Sequence, residues 1–457
     1  MKSNVLSKMG QRTGVPPISW LMHAALSRPK LISLAAGFTD NSTLPVEISR
    51  KLLNDILRSP KTGQPALQYG ITAGEMNLRT LTAKHLQKLD GGHDRAHSPE
   101  HVIITGGSQQ LLYMTLEALC DEGDIILVED PTYFVFLSIL QSRGIKARGV
   151  KLERDGIDLV HLEKVLTRLK KSGELRRVKA LYLVTYFQNP TGATTSLAKK
   201  SATLKLLKKF ERAAGHPIYL LEDAAYRELS FASTPSPRPS GERAGVRGFE
   251  FRTKGLLSPT LSSVGGGEGE DTPATALTLP GAERVIYTGT YSKPYAPGAR
   301  VGFGILPEPL FTAVQRIKGN HDFGTANLLQ QLLAGALASG LYDKHVAKVQ
   351  KNYARKARVM KLALAEHFPA CVEIWESGGG LYFWARLPQG ISTGVKSKVF
   401  QAALKADVLY VPGELCYADD PSRAKPDNEM RISFGSANEE NIRKGIARLG
   451  KVLKRFV

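Results

Sequence analysis

Only three cysteines occur in the 457-residue sequence, Cys120, Cys371 and Cys416, widely spaced and without a CxxC pair. That excludes a disulfide framework or a thiolate zinc site, and it fits a reducing, cytoplasmic setting with incidental core thiols. No metal site is expected. No apolar run approaches the roughly 18 residues a membrane helix needs, so no membrane partner is expected either. The opening stretch "MKSNVLSKMGQRTGVPPISW" has basic residues but no apolar core, which excludes a secretory signal. Despite a net charge of +20, a basic cluster interleaved with stacking aromatics is also missing. Lysines and arginines are instead mixed with acids in helix-like stretches such as "SLAKKSATLKLLKKFERAAG". Nucleic acid is therefore not an expected partner; a solvated basic surface that weakly favours anionic metabolites is.

The hydrophobic content of 42% is that of a globular protein able to bury a sizeable core, and the length suits two domains. From about residue 100, short Val/Ile/Leu/Tyr runs alternate with amphipathic stretches. "HVIITGG", "DIILVED", "VKALYLVT", "PIYLLED" and "RVIYTGT" read as buried, mostly parallel strands separated by helices. After Gly319 the texture changes. A long helix ("LYDKHVAKVQKNYARKARVMKLALAEHF"), two strands ("GGGLYFWARLP", "MRISFG") and a terminal helix predict a smaller α+β domain. Residues 232–276 belong to neither pattern. They are rich in Pro, Gly and Ser, lack apolar periodicity, and predict a low-complexity loop inserted between two strands.

In parallel sheets ligands gather at the carboxyl ends of strands, and the chemistry-bearing residues fall there. "ITGGSQQLL" places Gly106 and Gly107 between a strand and a helix start, where free amides hold a phosphate. Tyr133 in "DPTYF" can lie flat on a ring, and Asn189 in "QNPTG" can donate to a ring oxygen. Glu222 and Asp223 end an apolar strand, so at least one carboxylate needs a cationic partner such as a protonated pyridine nitrogen. Lys293, among Tyr291, Pro294 and Tyr295 and beside a cationic anion site, suits a depressed pKa and Schiff-base chemistry. Arg300 can fork onto a phosphate, and Arg431 in "MRISF" onto a carboxylate.

The ordered set "QYG…GGSQQ…DPTYF…QNPTG…EDxxY…SK…R…RISF" resembles the fold type I pyridoxal-phosphate aminotransferases, closest to the 2-aminoadipate and aromatic subgroup. The match runs from about Pro17 to the C-terminus, interrupted only by the insertion. It implies an α/β fold like that of aspartate aminotransferase: a large domain with a mostly parallel seven-stranded sheet between helices, and a smaller α+β domain. The implied division is 1–36 as an N-terminal segment packing on the small domain, 37–318 as the cofactor domain, and 319–457 as the small domain.

Position by position, the resemblance implies that Lys293 holds pyridoxal 5'-phosphate as an aldimine and shuttles the proton between substrate Cα and cofactor C4′. Asp223 would pair with the pyridine nitrogen, Asn189 and Tyr226 with the phenolic oxygen, and Tyr133 would stack on the ring. Gly107, Ser108, Gln109, Thr290, Ser292 and Arg300 would form the phosphate cup, joined by Tyr69 from a neighbouring subunit, which implies a homodimer. Arg431 would grip the substrate carboxylate, helped by Asn189 and the backbone at Gly37. The expected reaction moves the amino group of an L-amino acid to a 2-oxo acid through a pyridoxamine form, in the cytoplasm, in amino acid metabolism or biosynthesis.

Three positions depart from the pattern. "AGFT" (Ala36–Thr39) stands where the family usually has "GGLP", Thr290 replaces a commoner serine, and the insertion doubles the interval from Asp223 to Lys293. Two other readings share the fold: a lyase or decarboxylase, and a cofactor-sensing transcription regulator. The regulator needs a helix-turn-helix domain ahead of the fold, and only about 16 residues precede the matched region.

Overall fold

The structure, a computed structural model, describes residues 5–92, 98–231 and 272–457. The segment expected as an inserted loop lies outside the described residues except for 272–276.

One large sheet collects the apolar runs. Its strands are β1 (Val102–Thr105), β2 (Ile125–Asp130), β3 (Lys146–Glu153), β4 (Gly156–Ile157), β5 (Val178–Val184), β6 (Tyr219–Asp223), β7 (Val285–Thr290) and β8 (Gly302–Ile305). They lie in the order β1-β8-β7-β6-β5-β2-β3-β4. Neighbours from β7 to β3 pair in parallel; β8 runs against β7 and β1, and β4 against β3. Seven strands were expected, and the eighth is the two-residue β4. Every residue of β1, β2, β6 and β7 is buried, as sheets covered by helices on both faces require. The parallel set brings the carboxyl ends of β1, β2, β5, β6 and β7 to one edge.

The covering helices have local reasons to start and stop. Ser196 caps Leu197–Ala214 by accepting from the Lys199 amide, and Gly215 ends it in the left-handed conformation (φ 80°). Asp158 does the same at the start of Leu159–Lys171. The helix Ser108–Leu119 is different: it opens on Gly107 with no capping side chain, so the amides of its first turn have no side-chain acceptor.

A second, four-stranded antiparallel sheet joins Glu373–Trp375, Tyr382–Arg386, Glu429–Ser433 and Val411–Pro412 in that order. The helix Leu341–His367 buries Val346, Val349, Tyr353 and Met360 along one stripe and packs on the terminal helix Glu439–Leu453. Near the N-terminus, Ile32–Ser33 pairs in parallel with Val408–Leu409 of the smaller unit, whereas the helix Lys8–Arg12 packs on Phe134–Arg143 of the larger one, with Arg12 Nε donating to the Ser142 carbonyl at 2.8 Å. Gly319 lies in the last turn of the helix Leu310–His321. No helix among the described residues is long and apolar enough to cross a membrane.

Candidate active site

Between the carboxyl edge of the large sheet and the small sheet lies a cavity of about 270 Å3. Gly37, Gly107, Ser108, Gln109, Tyr133, Asn189, Asp223, Tyr226, Thr290, Ser292, Lys293, Arg300 and Arg431 all line it. Tyr69 does not. It is 83% exposed on the surface, its ring packed edge-on against Phe323 at 5.5 Å.

The two carboxylates ending β6 separate by the alternation of a strand. Glu222 faces away from the cavity, where Lys200 meets it at 2.9 Å with both side chains fully buried. Asp223 lines the cavity, accepting from Tyr182 Oη at 2.8 Å and from the Ala225 amide at 3.1 Å. Burial raises its carboxyl to about 6, and those two donors only partly offset it. Asp223 has no cationic side chain against it among the described residues, so this buried carboxylate stands ready for a cationic ligand atom.

Lys293 sits where β7 turns into a short helical stretch. Its Nζ donates to the Gly37 carbonyl at 2.8 Å and lies 5.9 Å from the centre of the Tyr226 ring. Burial, with Arg431 and Arg300 nearby, lowers its pKa to about 8. The Tyr226 hydroxyl receives the Asn189 amide at 3.3 Å, and the Asn189 carbonyl receives Arg431 Nη1 at 2.7 Å. The turn carrying Asn189 is held from beneath by buried Glu129, which accepts from Val184 N and Gln188 Nε2 at 2.9 Å each. Burial raises Glu129 to about 8.

At the other end is an anion cup. Arg300 donates to the Gly106 carbonyl at 3.0 Å, and Thr290 Oγ1 bonds both the Ser292 hydroxyl (3.0 Å) and the Ser292 amide (3.1 Å). Gly107 holds φ 93°, and a Cβ there would come within 2.7 Å of the Arg300 guanidinium. Gly302 on β8 similarly leaves no room for a side chain beside the backbone of Gly107 and Ser108. Gly107→Ala should therefore weaken cofactor binding about tenfold, from roughly 1–3 kcal/mol of strain in an extended, positive-φ backbone that side chains avoid. Titration of the apoprotein with pyridoxal 5'-phosphate reads this directly; an unchanged Kd would mean the cup does not depend on that backbone.

Among the cavity residues not singled out from the sequence, two bear on the chemistry. Tyr382 meets the Tyr226 hydroxyl at 3.0 Å, and its ring lies under the Arg431 guanidinium at 4.4 Å. The strand register explains its place: Trp384 pairs opposite Arg431, so Tyr382, two residues away, shares that face of the sheet. Phe38 is the other, noticed only as part of the "AGFT" departure.

An uncapped helix start beside Arg300 suits a phosphate, and the unneutralised Asp223 suits a protonated ring nitrogen, with a depressed lysine in the same cavity. The residues present fit pyridoxal 5'-phosphate, and the fold and cavity are those of its fold type I enzymes. The model of the family "Aminotransferase class I and II" matches residues 29–449. The chain belongs to that family and is a pyridoxal-phosphate-dependent aminotransferase.

Relatives agree. The chain is 31% identical to the aromatic-amino-acid aminotransferase 1 of Thermococcus litoralis, covering 93% of this chain and 88% of that protein. It is also 31% identical to the 2-aminoadipate transaminase of Thermus thermophilus, over 93% and 91%. The crystal structure of Pyrococcus horikoshii kynurenine aminotransferase superposes with a TM-score of 0.82 at 29% identity, covering 99% of this chain and 98% of that one.

Proposed function

We propose that the protein transfers the α-amino group of an L-amino acid to a 2-oxo acid as a cytoplasmic homodimer in amino acid metabolism. Its substrates on this reading are small molecules, not nucleic acid, and its relatives act on aromatic amino acids, 2-aminoadipate and kynurenine. One observation carries the reading: a single cavity pairs a buried carboxylate, Asp223, with a buried guanidinium, Arg431, and among the described residues neither has an oppositely charged side chain against it.

When bound, pyridoxal 5'-phosphate supplies an electron sink for charge developing at the substrate Cα. The chain's residues do the rest. Gly107, Ser108, Gln109, Thr290, Ser292 and Arg300 bind the phosphate, and Tyr133 covers one ring face. Asp223 keeps the ring nitrogen protonated, while Asn189 and Tyr226 orient the phenolic oxygen. Arg431, braced by Asn189 and with Gly37 beside it, grips the substrate carboxylate. Lys293 Nζ would anchor the cofactor and, once released, would carry the proton from the substrate Cα to the cofactor C4′. We place the N-terminal segment at 1–36, the cofactor domain at 37–318 and the small domain at 319–457.

The homodimer draws support from the surface around Tyr69. Leu67, Tyr69, Ile71 and Phe323 (53% exposed) stand apolar in solvent, and Tyr69 reaches no site of its own chain. In the dimer Tyr69 completes the partner's phosphate cup. Mixing inactive Tyr69→Ala and Lys293→Ala protomers after unfolding and refolding tests this. Hybrid dimers carry one site with both lesions and one with neither, so roughly a quarter of wild-type activity should return. No recovery, or a monomer by sedimentation, would sink the shared site.

A further inference from the structure

Phe38 lines the cavity yet is 48% exposed, an aromatic at the rim between site and solvent. Its backbone has little freedom. The Ala35 and Ala36 carbonyls accept from Arg431 and Ser433 at 2.6 and 2.7 Å. Beyond it, the Asp40 amide donates to Tyr353 Oη at 2.9 Å, and the Asp40 carboxylate meets Lys356 at 2.9 Å. On the other side, a Cβ on Gly435 would lie 2.5 Å from the Phe38 carbonyl oxygen, so main chain touches main chain there. A rigid loop thus holds out an incompletely packed ring. Such a surface gains burial only when something apolar enters beside it.

The charges of the cavity point the same way. Among its described lining residues the cations are Lys293, Arg300 and Arg431. All three are already engaged, Lys293 in anchoring the cofactor, Arg300 on the phosphate and Arg431 on the substrate α-carboxylate. A second carboxylate on the substrate side chain would meet no further cation among this chain's described lining residues and would lose hydration beside an aromatic ring, which is unfavourable. Phe134, Tyr382 and Leu112 line the same space and suit an apolar group.

We infer that Phe38 forms the wall against the substrate side chain and selects aromatic or large apolar amino acids over dicarboxylic ones, an inference that rests on the transaminase reading above. The test uses the holoenzyme in single-turnover half-reactions, following the cofactor absorbance after adding L-phenylalanine, L-2-aminoadipate or L-alanine. Wild type should convert with phenylalanine at least about tenfold more efficiently than with 2-aminoadipate, the discrimination expected from an unpaired buried charge. In Phe38→Ala the ratio of kcat/KM for phenylalanine to that for alanine should fall about three- to tenfold, the worth of one aromatic contact. Phe38→Arg should raise 2-aminoadipate relative to phenylalanine. A wild type that prefers 2-aminoadipate, or a phenylalanine-to-alanine ratio unmoved in Phe38→Ala, would overturn the inference. Absence of conversion with all three donors would be a different failure, that of the transaminase reading itself, and would remove this inference with it.

Discussion

Lys293→Ala should retain the fold and a loosely held cofactor yet lose on the order of 10^4-fold in transamination rate. The cup residues and Asp223 remain, so cofactor should still bind, but without the absorbance of a covalent lysine adduct. What disappears is the amine that can shed and regain a proton near neutral pH. Burial and the neighbouring Arg431 and Arg300 all penalise the ammonium form, which is why the pKa falls from 10.5 to about 8. The sign is definite. Below about pH 8 the amine is protonated and cannot attack a carbonyl; above it the amine is free.

Cofactor uptake by the wild-type apoprotein should therefore accelerate as pH rises through about 8 and then level off. An ordinary lysine would give the same curve centred near 10.5. The linkage to stability has the matching sign: with the folded pKa depressed, the stability contributed by Lys293 is present above the unfolded value and is lost as pH falls through about 8. Lys293→Arg is a useful companion, because it keeps the charge and the bulk but never loses its proton. Activity in either variant above about a hundredth of wild type would show that another group moves the proton.

How much of this site was legible beforehand depended on whether a residue's role is set locally. Asp223 ends a strand and Gly107 and Lys293 come within three residues of one, and the carboxyl edge of a parallel sheet collects such positions whatever the rest of the chain does. Apart from the family resemblance, strand position left Glu222 and Asp223 undivided, because choosing between them needs the strand's orientation and a partner, Lys200, that comes from another element. Tyr382 was hidden more deeply. It contacts Tyr226 across the space between two sheets, 156 residues away in sequence, and reads locally as one more aromatic in a buried strand.

Of the strands that escaped notice, the two longer ones in the large sheet did so for physical reasons. Lys146–Glu153 exposes both its end residues and Lys151, which dilutes the apolar run. Gly302–Ile305 carries two glycines where β-branched residues are the usual signal, and one of them is what lets the cup's backbone approach. Tyr69 shows the complementary limit: it is 83% exposed, and on the reading proposed above what it completes belongs to another subunit.

Arg431→Leu should raise KM for both the amino acid and the 2-oxo acid by about 10^2- to 10^3-fold, with cofactor affinity held within a few-fold. Arg431 is 1% exposed, with Nη1 on Asn189 and Nη2 on the Ala35 carbonyl, and its Nε makes no hydrogen bond. Its guanidinium is flanked by Tyr382 at 4.4 Å and Phe134 at 5.3 Å, which stabilise a cation but do not neutralise it. No carboxylate pairs with it among the described residues. A buried, unneutralised cation is unfavourable unless an anion arrives, and the substrate carboxylate is the anion common to donor and acceptor. Truncation also frees the Asn189 carbonyl, so the raw loss overstates the grip itself. Comparing each amino acid with its primary amide in wild type and Arg431→Leu removes that contribution, because the coupling isolates carboxylate against guanidinium. Wild type should discriminate strongly against the amide and the variant hardly at all. Equal discrimination in both would mean that the carboxylate is held elsewhere, and Arg431→Lys, which keeps charge without the fork, would then behave like wild type instead of falling between.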